Sequence, residues 1–106
     1  MTERVSRILE ELRSRLEELY GDRLEQVVLF GSHARDDATP ESDVDVLVVL
    51  RGEVRPWEEI QRTSEIVGEL SLRSGLDIAR VFTSAERYRK EQSPFLLNVR
   101  REGVAV

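Results

Sequence analysis

Asp43 and Asp45 flank a single valine at the head of a valine-rich run, Val44–Leu50. Residues i and i+2 of a strand project to the same side, so as a strand this run puts both carboxylates on one face. Two carboxylates that close repel each other. Either one holds a proton or a cation sits between them. Mg²⁺, held by a few carboxylates and by substrate phosphates, is the best match to such oxygen ligands. Gly31-Ser32 closes another apolar run, Val27–Phe30. Glycine lets a backbone approach a ligand closely, serine adds a hydroxyl, and amides at a helix start there can face an anion. Asp77 opens a third apolar run, Leu76–Phe82. If that strand lies beside the second, Asp77 reaches the same spot. Each feature alone has a plain structural reading: a turn, a solvated strand edge, a turn residue. Together, three carboxylates beside an anion-binding loop make a two-metal phosphoryl-transfer site.

The remaining residues supply the elements that must hold this site. Val5, Ile8, Leu9, Leu12, Leu16, Leu19 and Tyr20 recur at three- and four-residue spacing, which predicts an amphipathic helix with Gly21 at its cap. Arg13 and Glu17 form a surface pair on it. Val27–Phe30 is too short for a helix and reads as a buried strand. Asp36–Ser42 is a loop by composition. Val44–Leu50 is the second strand. Pro56 suits the first turn of a helix that carries Trp57, Ile60, Ser64, Val67 and Leu70 to a cap at Gly75. Leu76–Phe82 is the third strand, and Thr83-Ser84-Ala85-Glu86 fits a capping box. Ser93-Pro94 opens a last helix through Phe95, Leu96 and Val99, stopped by Gly103, with Val104–Val106 free to pair at a sheet edge. Strands two and three, joined by a long helix, can lie parallel. The expected class is α/β or α+β, a small mixed sheet flanked by helices, with residues 1–106 forming a single domain.

The chain has 106 residues and a formal charge of −5, with 40% hydrophobic and 35% charged residues. The acidic balance disfavours direct nucleic-acid binding through phosphate contacts. No apolar run approaches the roughly 20 residues of a membrane span. The N-terminus is no signal peptide, and the absence of cysteine removes disulfides, thiolate metal sites and thiol nucleophiles. The simplest expectation is a cytoplasmic protein. Fifteen arginines against one lysine fit either a hot habitat or a GC-rich genome.

Three rival readings of the aspartate pair fail on context. An EF-hand loop needs an acidic or amide residue at Leu47 and glycine at Val48. A haloacid-dehalogenase Asp-x-Asp follows its strand, whereas here the strand comes after. A sugar-nucleotide transferase needs a much larger domain. Gly31-Ser32-His33-Ala34-Arg35, a short gap ending at Ser42, then Asp43-Val44-Asp45 and a Val/Leu run, resembles the nucleotidyltransferase signature of the DNA polymerase β superfamily. Ala38-Thr39-Pro40-Glu41-Ser42-Asp43-Val44-Asp45 looks like its minimal nucleotidyltransferase (MNT) branch. The resemblance covers almost the whole chain.

That resemblance implies transfer of a nucleoside monophosphate from an NTP to an acceptor hydroxyl. Gly31 and Ser32, with Arg35 and Ser42, would hold the nucleotide; Asp43, Asp45 and Asp77 would be catalytic and bind two Mg²⁺ ions. Arg35 has a second reading, as the partner of a nearby carboxylate. His33 occupies a variable position of the signature, with its side chain expected to point outward. Trp57, on an apolar stripe, is expected to pack in the core or an interface rather than stack on a base. Asp36 stands where the family often has glycine, so the loop there is expected to differ. Larger relatives bind the acceptor with an added domain or a second subunit. MNT proteins pair with HEPN-domain RNase toxins, and some adenylylate a tyrosine of that partner. The resemblance therefore implies an antitoxin using ATP. Two alternatives stand beside it: a catalytically silent binding module that acts by contact, and transfer to a small molecule such as an aminoglycoside. The last would need a homodimer to build the missing acceptor wall.

Overall fold

The computed structural model describes all 106 residues. Helix α1 (Glu3–Tyr20) starts where the Thr2 side chain accepts the Val5 amide and stops at Gly21, whose φ of 55° few other residues tolerate. A single 3-10 turn leads into β1 (Leu24–Phe30). The short helix α2 (Ser32–Arg35) and a loop follow, then β2 (Val44–Leu50), α3 (Pro56–Ser74), β3 (Ile78–Ser84), α4 (Ala85–Lys90), α5 (Pro94–Glu102) and β4 (Val104–Ala105). The sheet order is β3-β2-β1-β4. β1 is antiparallel to β2 and β4, and β2 is parallel to β3 across the α3 crossover.

Alternation along β2 divides the core. Val44, Val46, Val48 and Leu50 pack under α1 and α3 in the larger cluster, with Leu9, Leu12, Leu16 and Leu70. Leu47 and Val49 face the other way, against Ala85, Leu96 and Val99 of α4 and α5. Asp45 lies on that second face, two residues before Leu47. No helix is long and apolar enough to cross a membrane.

Several expectations need correction. β1 begins at Leu24 rather than Val27, because Leu24 pairs with Leu50 past an irregularity that the polar pair Glu25-Gln26 disguises. β3 runs from Ile78 to Ser84, so Asp77 stands just outside it. Ser84, not Thr83, caps α4 and accepts the Arg87 amide. The capping box therefore lacks its glutamate, since Arg87 occupies the reciprocal position. On α3 the buried side is Glu59, Thr63, Ile66, Val67 and Leu70. Trp57 is not in the core: it is 70% exposed. Glu59 takes a core position because its charge is answered there. It is 2% exposed, accepts the Tyr20 hydroxyl at 2.7 Å and Arg62 Nε at 3.0 Å, and has Arg23 at 3.8 Å. Burial, then the Glu59 hydrogen bond, pushes the Tyr20 phenol well above its ordinary range.

Candidate active site

The end of β1 and the start of β2 meet in antiparallel register, Phe30 opposite Asp45. The chain then turns at Gly31, with φ 77° and ψ −156°, a region essentially reserved for glycine. A β-carbon on Gly31 would stand 2.4 Å from Asp45 Oδ2. Glycine is thus required twice, for the backbone and for the carboxylate packed against it. Ala34 and Arg35 donate back to the Gly31 carbonyl at 3.1 and 3.2 Å. The Ser32 and His33 amides lie ahead of those first helical bonds, as orphan donors at a helix start do.

Asp45 is half-buried and Asp43 exposed. Desolvation and, second, the like charge of Asp43 raise the proton affinity of Asp45, while His33 and Arg35 oppose the rise. Two carboxylates and two basic side chains therefore act on one another across the turn. Asp77 is exposed and tied in through its backbone: its carbonyl accepts the Val44 amide at 2.8 Å. The parallel register Val44↔Ile78, extended by one residue, sets Asp77 beside Asp43. Alternation then puts Asp43, Asp45 and Asp77 on one side of the sheet. Their side chains do not close into a ready-made cage: no three acidic or imidazole groups stand at ion-holding distance.

The neighbours of the pair are placed differently from the sequence reading. His33 is buried, not outward, with Nε2 3.2 Å from the Ser42 carbonyl. In a helix of four residues no periodicity announces this. Arg35 pairs with Asp37 at 3.2 Å and Glu102 at 3.7 Å, so it clamps α2 to its loop and to α5. Ser42 works within the loop, its Oγ accepting the Thr39 amide at 2.9 Å and lying 3.2 Å from Thr39 Oγ1. Asp36 keeps the left-handed conformation, φ 60°, so the loop retains the turn that glycine would make. Phe30 shares the face of Asp45 and is met edge-on by Phe95, ring centroids 5.3 Å apart.

A tight glycine turn, a helix start with open amides and a carboxylate packed on that glycine thus stand together at one end of the sheet. The nucleotidyltransferase domain family matches residues 9–101, and the chain belongs to that family. Two Methanocaldococcus jannaschii proteins that carry the provisional name protein adenylyltransferase are 33% identical to it. One aligns over 93% of this chain and 95% of its own length, the other over 90% of each. A crystal structure of a provisionally named nucleotidyltransferase from Sulfolobus solfataricus has the same fold, with TM-score 0.60 and 21% identity over 96% of this chain and 75% of that one. So does a chain in a toxin–antitoxin crystal structure with AMP-PNP, with TM-score 0.60 and 19% identity over 91% of this chain and 70% of that one. The chain is a nucleotidyltransferase.

Proposed function

We propose that this chain moves AMP from ATP to a tyrosine hydroxyl of an HEPN-domain toxin and so acts as its antitoxin. One observation carries the reading: Asp45 packs on Gly31 with Asp43 alongside, so anion loop and carboxylate pair are a single site. The names of the Methanocaldococcus proteins support protein as the acceptor, and the toxin–antitoxin neighbours support a toxin as the partner.

In this reading Gly31, the Ser32 hydroxyl and the open amides of α2 receive the triphosphate, and Arg35 steadies the loop that presents them. Asp43, Asp45 and Asp77 offer the hard oxygen donors that suit Mg²⁺. Two such ions, when bound, would acidify the acceptor hydroxyl and neutralise charge on the departing pyrophosphate. The acceptor oxygen forms a bond to the α-phosphorus, the bond to the β-phosphate oxygen breaks, and pyrophosphate leaves. Asp77 would take up the proton of the acceptor hydroxyl. Asp45 must be ionised to serve, and its raised proton affinity makes that state more costly without a cation.

One observation favours the contact-only reading, namely that the three carboxylates are not drawn together into a cage. Mixing the chain with the toxin, Mg²⁺ and α-labelled ATP separates the two. Label on the toxin, lost with Asp43→Asn, supports transfer. Neutralisation that survives Asp43→Asn and Asp45→Asn, with no label, supports contact alone.

A further inference from the structure

Asp77, the pair Asp43/Asp45 and Gly31-Ser32 stand on three neighbouring strands: just before β3, at the head of β2 and at the end of β1. That row gives the proposed transfer a direction. Displacement at phosphorus runs in line, with the incoming oxygen opposite the departing one. With pyrophosphate departing over Gly31-Ser32 and the α-phosphorus beside Asp43 and Asp45, the acceptor enters from the Asp77 end. Both ends of the row are then taken. A nucleoside that is held by the protein therefore extends over one face of the sheet. One face is closed to it, because Val44 and Val46 are fully buried there beneath α1 and α3. The other face, the one that carries Asp45, is walled by α5.

α5 turns a definite flank to the site. Its buried side, Leu96 and Val99, packs on the sheet. Arg100 ties one flank to α4, donating to the Glu91 carbonyl at 2.7 Å and to the Tyr88 carbonyl. Phe95, Asn98 and Glu102 fall together on the opposite flank by helical spacing. Both ends of that flank touch the site. Phe95 packs T-shaped on Phe30, with ring centroids 5.3 Å apart and planes at 84°. Phe30 is the register partner of Asp45 and the residue before Gly31. Glu102 reaches Arg35 of α2 at 3.7 Å. Asn98 lies between the two ends and is exposed. Its Oδ1 accepts Arg101 Nη2 at 2.9 Å, while its Nδ2 donates to no group of the chain.

These side chains suit a nucleobase. Phe95 is 41% exposed, and its ring is held in place by a second ring. Such a ring is a platform for a base, since every base has a π-face. Stacking alone does not choose among bases, but Asn98 can. Its Oδ1 keeps a lone pair beyond the one used by Arg101, and Nδ2 keeps its donors. A carboxamide in that state matches adenine, accepting from N6 and donating to N7. Guanine presents acceptors at both positions, O6 and N7, which leaves Oδ1 facing an oxygen.

We infer that this flank of α5 is an adenine seat: Phe95 carries the base by stacking, and Asn98 reads its N6/N7 edge. The assignment rests on the use of a nucleoside triphosphate proposed above, and adds which base is selected and by which residues.

Calorimetry on the whole chain with Mg²⁺ tests it without any acceptor. The probes are α,β-methylene-ATP, which cannot be cleaved at the reacting bond, its guanine counterpart, and inorganic tripolyphosphate. The wild-type chain should bind the adenine form most tightly. Phe95→Leu should weaken both nucleotides by about 5- to 150-fold and leave tripolyphosphate unchanged, and Phe95→Trp should restore them. That rescue separates stacking on a base from packing against Phe30. Asn98→Ala, at an exposed helix position, should keep the circular dichroism and bring the adenine and guanine forms to equal affinity. Undiminished binding of the adenine form by Phe95→Leu overturns the seat while leaving the anion loop in place. So does an adenine preference that is absent from wild type or survives Asn98→Ala. A chain that binds neither tripolyphosphate nor α,β-methylene-ATP overturns the nucleotide reading itself, and the seat with it.

Discussion

Replacing Gly31 by alanine puts a methyl group where Asp45 already stands. The backbone there, φ 77° and ψ −156°, costs a residue with a side chain roughly 1–3 kcal/mol. The new carbon would meet Asp45 Oδ2 at 2.4 Å. Ordinary contact begins at 3.4 Å, so the carboxylate must retreat by about 1 Å, at an overpacking cost of about 1–3 kcal/mol. The total comes to roughly 2–6 kcal/mol on these two ranges, and a misplacement of about 1 Å should cost transfer on the order of 100-fold. A double-mutant cycle separates the two parts. In Asp45→Ala the carboxylate is gone, and the Asp45 Cβ, 3.5 Å from the added carbon, is an ordinary neighbour. Gly31→Ala should then cost only the backbone part, leaving a coupling equal to the overpacking part, about 1–3 kcal/mol, between the sites. Urea unfolding of the four proteins measures it. Equal costs in both backgrounds, within about 0.3 kcal/mol, would refute the packing of Asp45 on Gly31.

Asp45→Asn should abolish transfer yet stabilise the fold at neutral pH, by roughly 0.5–2 kcal/mol. The sign follows from the raised proton affinity of Asp45, caused by burial and then Asp43. Its ionised form is penalised in the fold, so wild type should lose ground to the variant as pH rises from about 4 through Asp45's own value, then level off; a difference independent of pH contradicts this. Tyr20→Phe removes a donor from buried Glu59 and should cost about 1–3 kcal/mol in denaturation while leaving transfer intact. His33→Ala should loosen the loop held at the Ser42 carbonyl, raising KM for ATP more than it lowers stability; an unchanged KM would count against that role.

The element order was legible because it rests on periodicity, and the parallel pairing of β2 and β3 because a long helix joins them. α1 shows its stripe, β2 its valines, and Gly21, Gly75 and Gly103 their stops. Gly31-Ser32 and Asp43-Val44-Asp45 were legible as chemistry because a glycine turn and an i, i+2 carboxylate pair have few other uses in combination. What stayed hidden depends on partners distant in sequence. Glu59 is buried because Tyr20, Arg23 and Arg62 converge on it, and a charged residue on a helix reads as solvent-facing without them. Trp57 looks like core because it is large and apolar, yet it falls away from the buried side of α3, formed by Glu59, Thr63, Ile66, Val67 and Leu70, and is 70% exposed. His33 sits in one helical turn, too short to show a face. Asp77 is tied to the start of β2 because its carbonyl accepts the Val44 amide, a bond no local pattern records.

The most direct test of the account is the fate of α-labelled ATP when the chain meets its toxin partner with Mg²⁺. Label is expected on a toxin tyrosine, with one pyrophosphate released for each AMP attached, and both should be lost with Asp45→Asn in a protein that remains folded. Toxin that stays unlabelled beside folded wild-type chain, or label undiminished by Asp45→Asn, would contradict it.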